Sequence, residues 1–261
     1  SREAVDVIAQ KQAAVLSLGE EAGDRAFLEQ TARMMSPRYL LNAPVSQIRD
    51  HVHLFRRLGR QRFVWDIQPV PDSHARTVTI CAQDRPGLFA SIAGVFTLNR
   101  IDILDAQVFT WRNNVALDVL KVTPPPDPIF EEEKWDRAEG HLREALEGRL
   151  DLAALIRERK PPLRPHRPRA MQRPPRVQVN NQASSFFTII EVFADDYPGL
   201  LFNVTNALYR CRLDIWVAKI ATNVDQVLDV FYVRDFDGQK VDRPDQVETI
   251  TAAIHQALPV A

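Results

Sequence analysis

Two short stretches hold the residues best placed to do chemistry, Asp84-Arg85-Pro86-Gly87-Leu88 and Asp196-Tyr197-Pro198-Gly199-Leu200. Each sets a carboxylate just ahead of a Pro-Gly step into an apolar helical pattern. Such a turn places a negative group beside the unpaired amides and positive dipole end of a helix. It thereby offers a small zwitterion both of its complements, an acid for the ammonium and peptide N–H groups for the carboxylate. Pro86 fits the first helical position, where its missing N–H costs nothing, and Gly87 allows close approach to the backbone. Asp102-Ile103 and Asp214-Ile215 open the strand that follows each helix, a place read as lying beside the same loop. The candidate ligand-binding residues are therefore Asp84, Gly87, Leu88, Asp102 and Ile103 in one copy, and Asp196, Gly199, Leu200, Asp214 and Ile215 in the other. An aspartate at this point also suits an unliganded helix N-terminus as a cap. For one copy alone, capping and binding stand as equal alternatives; the recurrence of Asp102 as Asp214 favours binding in at least one. The copies differ, with Tyr197 for Arg85 and Asp195 for Gln83.

Around these turns the hydrophobic period switches between two and 3.6. TVTICAQ alternates as a strand, and Leu88, Ile92, Val95 and Phe96 share a helical face. Two β-rich runs then flank Arg112-Asn113-Asn114, where asparagine supplies the positive φ a hairpin needs. The second copy repeats this order: FTIIEVF, DYPG, a helix carrying Leu201, Val204 and Leu208, and a hairpin over Leu213 to Val233. Ala106 matches Ala218, and Asp118 matches Asp229 after a hairpin loop one residue shorter. A helix follows each copy, PDQVETITAAIHQAL in the second and the longer FEEEKWDRAEGHLREALEGRLDLAALIRERK in the first. RVQVN is expected to close the first copy as a fourth strand; the second has three strands or borrows one. The fold class is α+β, two ferredoxin-like βαββαβ domains in tandem behind a short helical segment. The expected domains are 1–65 (helical), 75–181 (first copy, with a Pro/Arg-rich insertion at about 124–176) and 185–261 (second copy).

The remaining polar residues point to structure. Asp118 and Asp229 lie within strands and are read as exposed-face charges paired with a neighbouring Arg or Lys, in preference to ligand contacts. His51 and His53, two apart on a helix, do not share a face and carry little weight as a metal pair, so no metal ligands are assigned. Trp111, Trp216 and the phenylalanines are assigned to the cores and to packing between copies. Cys81 and Cys211 are the only cysteines and read as buried thiols of a reducing cytoplasm. The stretch from Arg157 to Arg176 has eight Lys or Arg, one Glu and six prolines. It reads as an extended, solvated spacer ahead of a nucleic-acid contact, because it lacks interleaved aromatics. A net charge of −1 gives no global steering toward nucleic acid, and no apolar run is long enough to span a membrane. The amino terminus, SREAVDVIAQ, reads as the cut end of a longer protein.

DRPGLFASIAGVF…RIDILDAQVFT and DYPGLLFNVTNAL…RLDIWVAKIAT resemble ACT domains, small regulatory modules that bind amino acids. With RYLLNAP ahead of the pair and VLDVFYVRDFDGQKV near its end, nearly the whole chain is similar to the carboxy-terminal part of the bifunctional uridylyltransferase/uridylyl-removing enzymes that modify the PII nitrogen-signalling protein. The resemblance implies glutamine as ligand, PII as partner through the parent enzyme, and upstream catalytic domains that need divalent metal. It implies no cofactor and no catalytic residue within this stretch, which has no Gly-Ser and no His-Asp dipeptide. The rival expectation is an interaction module that binds no metabolite and docks PII or self-associates through sheet faces and edges.

Overall fold

The computed structural model describes residues 2–19, 24–159, 173–223 and 226–259. Most of the basic Pro-rich stretch, and the spacer role expected of it, lies outside the described residues.

Four helices come first: α1 (Arg2–Leu16), α2 (Arg25–Met34), α3 (Pro37–Asn42) and α4 (Val45–Leu58). Asp24 and Ser36 start α2 and α3 by accepting from the Phe27 and Tyr39 amides, as N-caps do. The first repeat copy follows as β1 (Phe63–Pro69), β2 (Arg76–Gln83), α5 (Leu88–Leu98), β3 (Ile103–Thr110), β4 (Val115–Val122), α6 (Glu131–Leu146) and α7 (Leu152–Glu158). The second comprises β5 (Arg176–Asn180), β6 (Thr188–Asp195), α8 (Leu200–Arg210), β7 (Leu213–Asn223), β8 (Gln226–Asp235) and α9 (Pro244–Ala257). The chain is α+β, and it divides into two units that share β3 and β4 between them.

One unit comprises Ser1–Gln68, Thr77–Asp84 and Val108–Val119. Its strands run in the order β1-β2-β4, so the edge beside β2 is filled by a strand that precedes it in sequence. The four helices lie against this sheet: Leu28, Met35, Tyr39, Leu40, Ile48, Val52 and Leu58 share one core with Phe109, Trp111, Val115 and Leu117. Trp111 is central, with Tyr39 and Phe55 edge-on to it at 5.2 and 5.3 Å, and the next residue, Arg112, donates its amide to the Met34 carbonyl at 2.8 Å. The hairpin tip is thus fixed to α2, with Asn114 at φ 61 supplying the expected left-handed turn residue.

Within that core Tyr39 Oη and His51 Nδ1 are 2.7 Å apart, both side chains buried. Burial lowers the His51 pKa to about 4, outweighing the raising effect of Asp50. His51 is therefore neutral when folded but protonates near pH 6.5 when unfolded, so stability is lost as pH falls from 6.5 toward 4. Tyr39→Phe leaves the imidazole without its partner and is expected to cost about 1–3 kcal/mol in urea unfolding at pH 7.

The other unit comprises Pro69–Arg76, Arg85–Gln107 and Leu120–Ala261. Here the strand order is β3-β7-β8-β6-β5, and every pairing from β7 outward is antiparallel. RVQVN, expected to close the first copy, is β5 and pairs with β6 from Arg176↔Phe193 to Asn180↔Ile189. The second copy therefore does borrow its fourth strand, from the segment ahead of it. Both copies follow the plan ββαββα, with the leading strand beside the second.

The copies meet through equivalent parts. Strands β3 and β7 pair antiparallel with Gln107 opposite Lys219, the same position in each copy. Helices α5 and α8 pack on each other, and α5 also meets α6 and α7, which is why nine of its residues are buried. A β-carbon added to Gly94 of α5 would stand 2.8 Å from the Phe202 ring and 2.9 Å from Leu152 Cδ1. Only glycine allows this approach.

The long helix expected after the first hairpin is broken in two. Gly148 takes φ +73 and donates its amide to Ala145, while the Arg149 amide reaches back to Glu144 at 2.9 Å. This closing pattern depends on a residue that tolerates a left-handed conformation. Asp151 then restarts the chain as α7 by accepting from the Ala154 amide at 3.0 Å.

Candidate functional site

Helices α5 and α8 begin alike. Gly87 (φ 84, ψ 0) and Gly199 (φ 92, ψ 0) are the N-cap residues, and neither helix has a side-chain cap. The Leu88 amide bonds the Arg85 carbonyl and the Leu200 amide bonds the Tyr197 carbonyl, both at 3.1 Å. Proline thus sits second and glycine third in a tight turn, the placement that a positive φ at the third residue favours. Pro86 and Pro198 consequently precede the helix and do not occupy its first position. The N-cap place is taken by glycine, so neither Asp84 nor Asp196 is the N-cap residue of its helix.

The structure does not bring Asp196 and Asp214 together. At one end of the second copy Asp195 opposes Gln226 and Gln226 opposes Asn223; at the other, Asp214 opposes Arg234. Eight strand positions separate those levels, roughly 27 Å at about 3.4 Å per residue. The cause is the helix between them: α8 carries the chain back along the sheet, so the strand after it starts at the far end. Asp214 is half-buried, and burial raises its pKa while the Ile215 amide lowers it. Asp102 stands exposed before β3, its backbone bonded both ways with Thr123 at 2.9 Å. Asp84 is half-buried; its amide donates to the Asn114 carbonyl at 2.9 Å, and its carbonyl accepts from the Asn114 side chain at 3.1 Å. Leu88 and Leu200 are core residues, and Ile103 and Ile215 are half-buried.

The strand aspartates overturn their reading as exposed, paired charges. Asp118 and Asp229 are each 1% exposed, and neither forms an ion pair among the described residues. Asp229 shares a strand face with Val227, Phe231 and Val233, and its neighbours in register are Val192 on β6 and Ile220 on β7. Asp118 Oδ1 and both oxygens of Asp229 lack a hydrogen-bond partner. Burial, and then the nearby charge of Asp196, push the Asp229 pKa up to about 8, and the Ala221 amide opposes this only weakly. Asp118 is raised well above the carboxylate range by burial and then by Asp84. Each turn aspartate therefore has a second, buried carboxyl close enough to act on electrostatically. The signal was present in the sequence: strict alternation puts residue 229 on the face of Val227 and Phe231.

Beside the Gly87 turn lies a cavity of about 600 Å³. Arg85, Gly87 and Ser91 form one wall, Gly148, Arg149 and Asp151 from the broken helix a second, and Phe202, Asn206 and Tyr209 of α8 a third. A β-carbon on Gly87 would stand 3.1 Å from the Tyr209 ring, so the glycine admits both the turn and its aromatic neighbour. The second turn differs: Gly199 faces the methyl of Thr97, the residue equivalent to Tyr209, at 3.5 Å. The cavity combines two guanidinium groups, an uncapped helix start and one carboxylate. These groups include complements for both ends of a small zwitterion, and the cavity's volume is in the ordinary range for small-ligand sites. Of the sequence-predicted residues only Gly87 lines it. Arg149 and Asp151 were missed because the break that places them reads as continuous helix.

A second cavity of about 650 Å³ lies along α7, α8 and α9 and includes Arg157, Arg210, Asn203 and Gln256. Cys211, expected to be buried, lines it half-exposed, whereas Cys81 is buried as expected; both thiols are free. Trp111 is a core residue as expected, and Trp216 is half-buried beneath Arg234 at 5.1 Å. Among the described residues no group of three His, Cys, Asp or Glu could hold a metal ion, and no helix is long and apolar enough to cross a membrane.

No protein-family model matches the chain. It is 35% identical over 230 residues to the bifunctional uridylyltransferase/uridylyl-removing enzyme of Rhodospirillum rubrum, covering 85% of this chain and 24% of that protein. The enzyme of the same name from Azospirillum brasilense is 35% identical over 253 residues, 95% of this chain and 27% of its own length. That from Novosphingobium aromaticivorans is 37% identical over 188 residues, 72% and 20% respectively. The chain spans about a quarter of the length of these curated relatives.

Proposed function

This chain is homologous to the bifunctional uridylyltransferase/uridylyl-removing enzymes over most of its own length, and on that footing we propose that it is their amino-acid-sensing regulatory region, a tandem pair of ACT domains. The ligand is a free amino acid, glutamine by family likeness, and its binding biases uridylylation and deuridylylation of PII by the divalent-metal-dependent catalytic domains of the parent protein. The cavity beside the Gly87 turn supports this reading most directly. Arg85, Arg149 and the α5 N-terminus, which line it, would take the ligand carboxylate, and Asp151, which also caps α7, would take the ammonium. The cavity is built from both copies, so a ligand there acts on the packing of α5 against α8. Regulation then amounts to the difference in its affinity between two arrangements of that packing.

Calorimetric titration of the 261-residue chain with L-glutamine and a panel of other amino acids tests the proposal. Saturable heat is expected with at least one of them, and it should weaken about tenfold or more, at least 1.4 kcal/mol, in an Arg85→Ala/Arg149→Ala double variant. Absence of heat across the whole panel rules the reading out.

A further inference from the structure

The cavity of about 650 Å³ along α7, α8 and α9 is in the ordinary size range for a small ligand, and the amino-acid reading leaves it unused. Ile156, Phe202 and Ala207 supply apolar wall. Arg157 and Arg210 line it together with the carboxamides of Asn203, Asn206 and Gln256, and none of its described lining residues is acidic. The cavity beside the Gly87 turn shares Ala153, Phe202 and Asn206 with it but adds Asp151. The two spaces therefore differ in the charge they can meet, since only the Gly87 cavity has a carboxylate for an ammonium.

One basic residue in the last turn of a helix is ordinary, because the dipole favours it there, and Arg157 and Arg210 hold that place in α7 and α8. The dipole does not account for both of them lining one cavity that has no acid in its walls. Neither forms a salt bridge among the described residues. The charge of Arg210 reaches the wall: burial raises the pKa of Cys211, a half-exposed lining residue, and Arg210 opposes that rise. The wall is also held in place. Asn203 Nδ2 donates to Tyr197 Oη at 3.0 Å, and Tyr197 Oη donates to the Ala257 carbonyl at 3.5 Å, which ties α8 to α9.

We infer that this cavity is a second ligand site, for a small acid that carries a carboxylate or phosphate group and has no ammonium. Arg157 and Arg210 would take the oxyanion, because the guanidinium fork matches either group. The carboxamides, each both donor and acceptor, would take neutral polar atoms, and Phe202 and Ile156 the apolar part. A free amino acid fits poorly, because its ammonium would lie among guanidinium groups with no carboxylate to meet it.

Calorimetric titration of the 261-residue chain with inorganic phosphate, uridine monophosphate and succinate at low ionic strength tests the site and separates phosphate from carboxylate as its anion. Saturable heat is expected with at least one probe, weakened about tenfold or more in an Arg157→Ala/Arg210→Ala variant. Both residues are exposed, so the variant is expected to fold. Location has its own readout. At saturation the same probe should slow alkylation of Cys211 by iodoacetamide severalfold, with buried Cys81 unreactive throughout. No heat with any probe, heat undiminished in the double variant, or Cys211 alkylation unchanged at saturation each overturns the site. Absence of heat across the amino-acid panel, by contrast, removes the sensor reading and leaves this site standing.

Discussion

Gly94→Leu is expected to destabilise the chain by about 3 kcal/mol or more, as read by urea unfolding, and to abolish amino-acid binding with it. Even one added carbon at this position would meet Phe202 at 2.8 Å and Leu152 at 2.9 Å from two sides. Gly94→Ala gains up to about 1 kcal/mol of helix propensity, but the contact outweighs it and the net change is still a loss. Phe202→Leu should recover part of that loss in a Gly94→Ala background while being harmful alone, a coupling that a double-mutant cycle isolates. Because Phe202 and Leu152 also line the cavity beside Gly87, the same substitution reaches the ligand site. Unchanged stability in Gly94→Leu would mean that α5 and α8 do not pack as described.

The second large effect is on pH dependence. Asp229 titrates near pH 8 folded against an ordinary value of 3.8, and Asp118 is raised in the same direction. An acid raised by folding holds a proton that the unfolded chain has already released. Its contribution is therefore complete below about pH 4 and declines as pH rises through 8. His51 works in the opposite sense between 4 and 6.5, and its effect is finished above that range. Stability is thus expected to fall between pH 6.5 and 8.5, by an amount on the order of a few kcal/mol. Urea midpoints collected across that interval check it. Asp229→Asn and Asp118→Asn should flatten the decline and raise stability at the alkaline end, since each replaces an ionisable buried group by a neutral one of equal size. A profile that is flat in the native chain contradicts the buried, unpaired state of these acids.

Much of the fold was legible because the repeat wrote it twice. The Asp-x-Pro-Gly-Leu step, the alternation of TVTICAQ and FTIIEVF and the positive-φ residue Asn114 each report local geometry, and local geometry is what periodicity and turn chemistry encode. What was misread depends on direction or partnership. Asp214 seemed to adjoin the turn of its own copy because it is next in order, but an eleven-residue helix intervenes and returns the chain to the opposite end of the sheet. RVQVN reads as a strand, yet nothing in five residues says which neighbour it will join. Asp118 and Asp229 read as outward-facing because strands usually avoid aspartate and many sheets are solvated on one face, although their alternation with buried apolar residues points inward. The break at Gly148 hid in a helical pattern because one glycine with φ +73 suffices to end a helix that sequence spacing would continue.

The leading strand of each copy has a practical corollary for anyone dissecting the molecule. A fragment that begins at the second turn motif, or even at β6, would omit β5 and leave a full-length row of peptide groups bare along one margin. Such a piece would end on the eight-residue β6 in place of the five-residue β5, a longer bare margin that recruits stray chains more readily than that of the intact protein. A cut made ahead of Arg176 keeps β5 paired with β6, so the boundary between the halves lies upstream of where the repeated text begins.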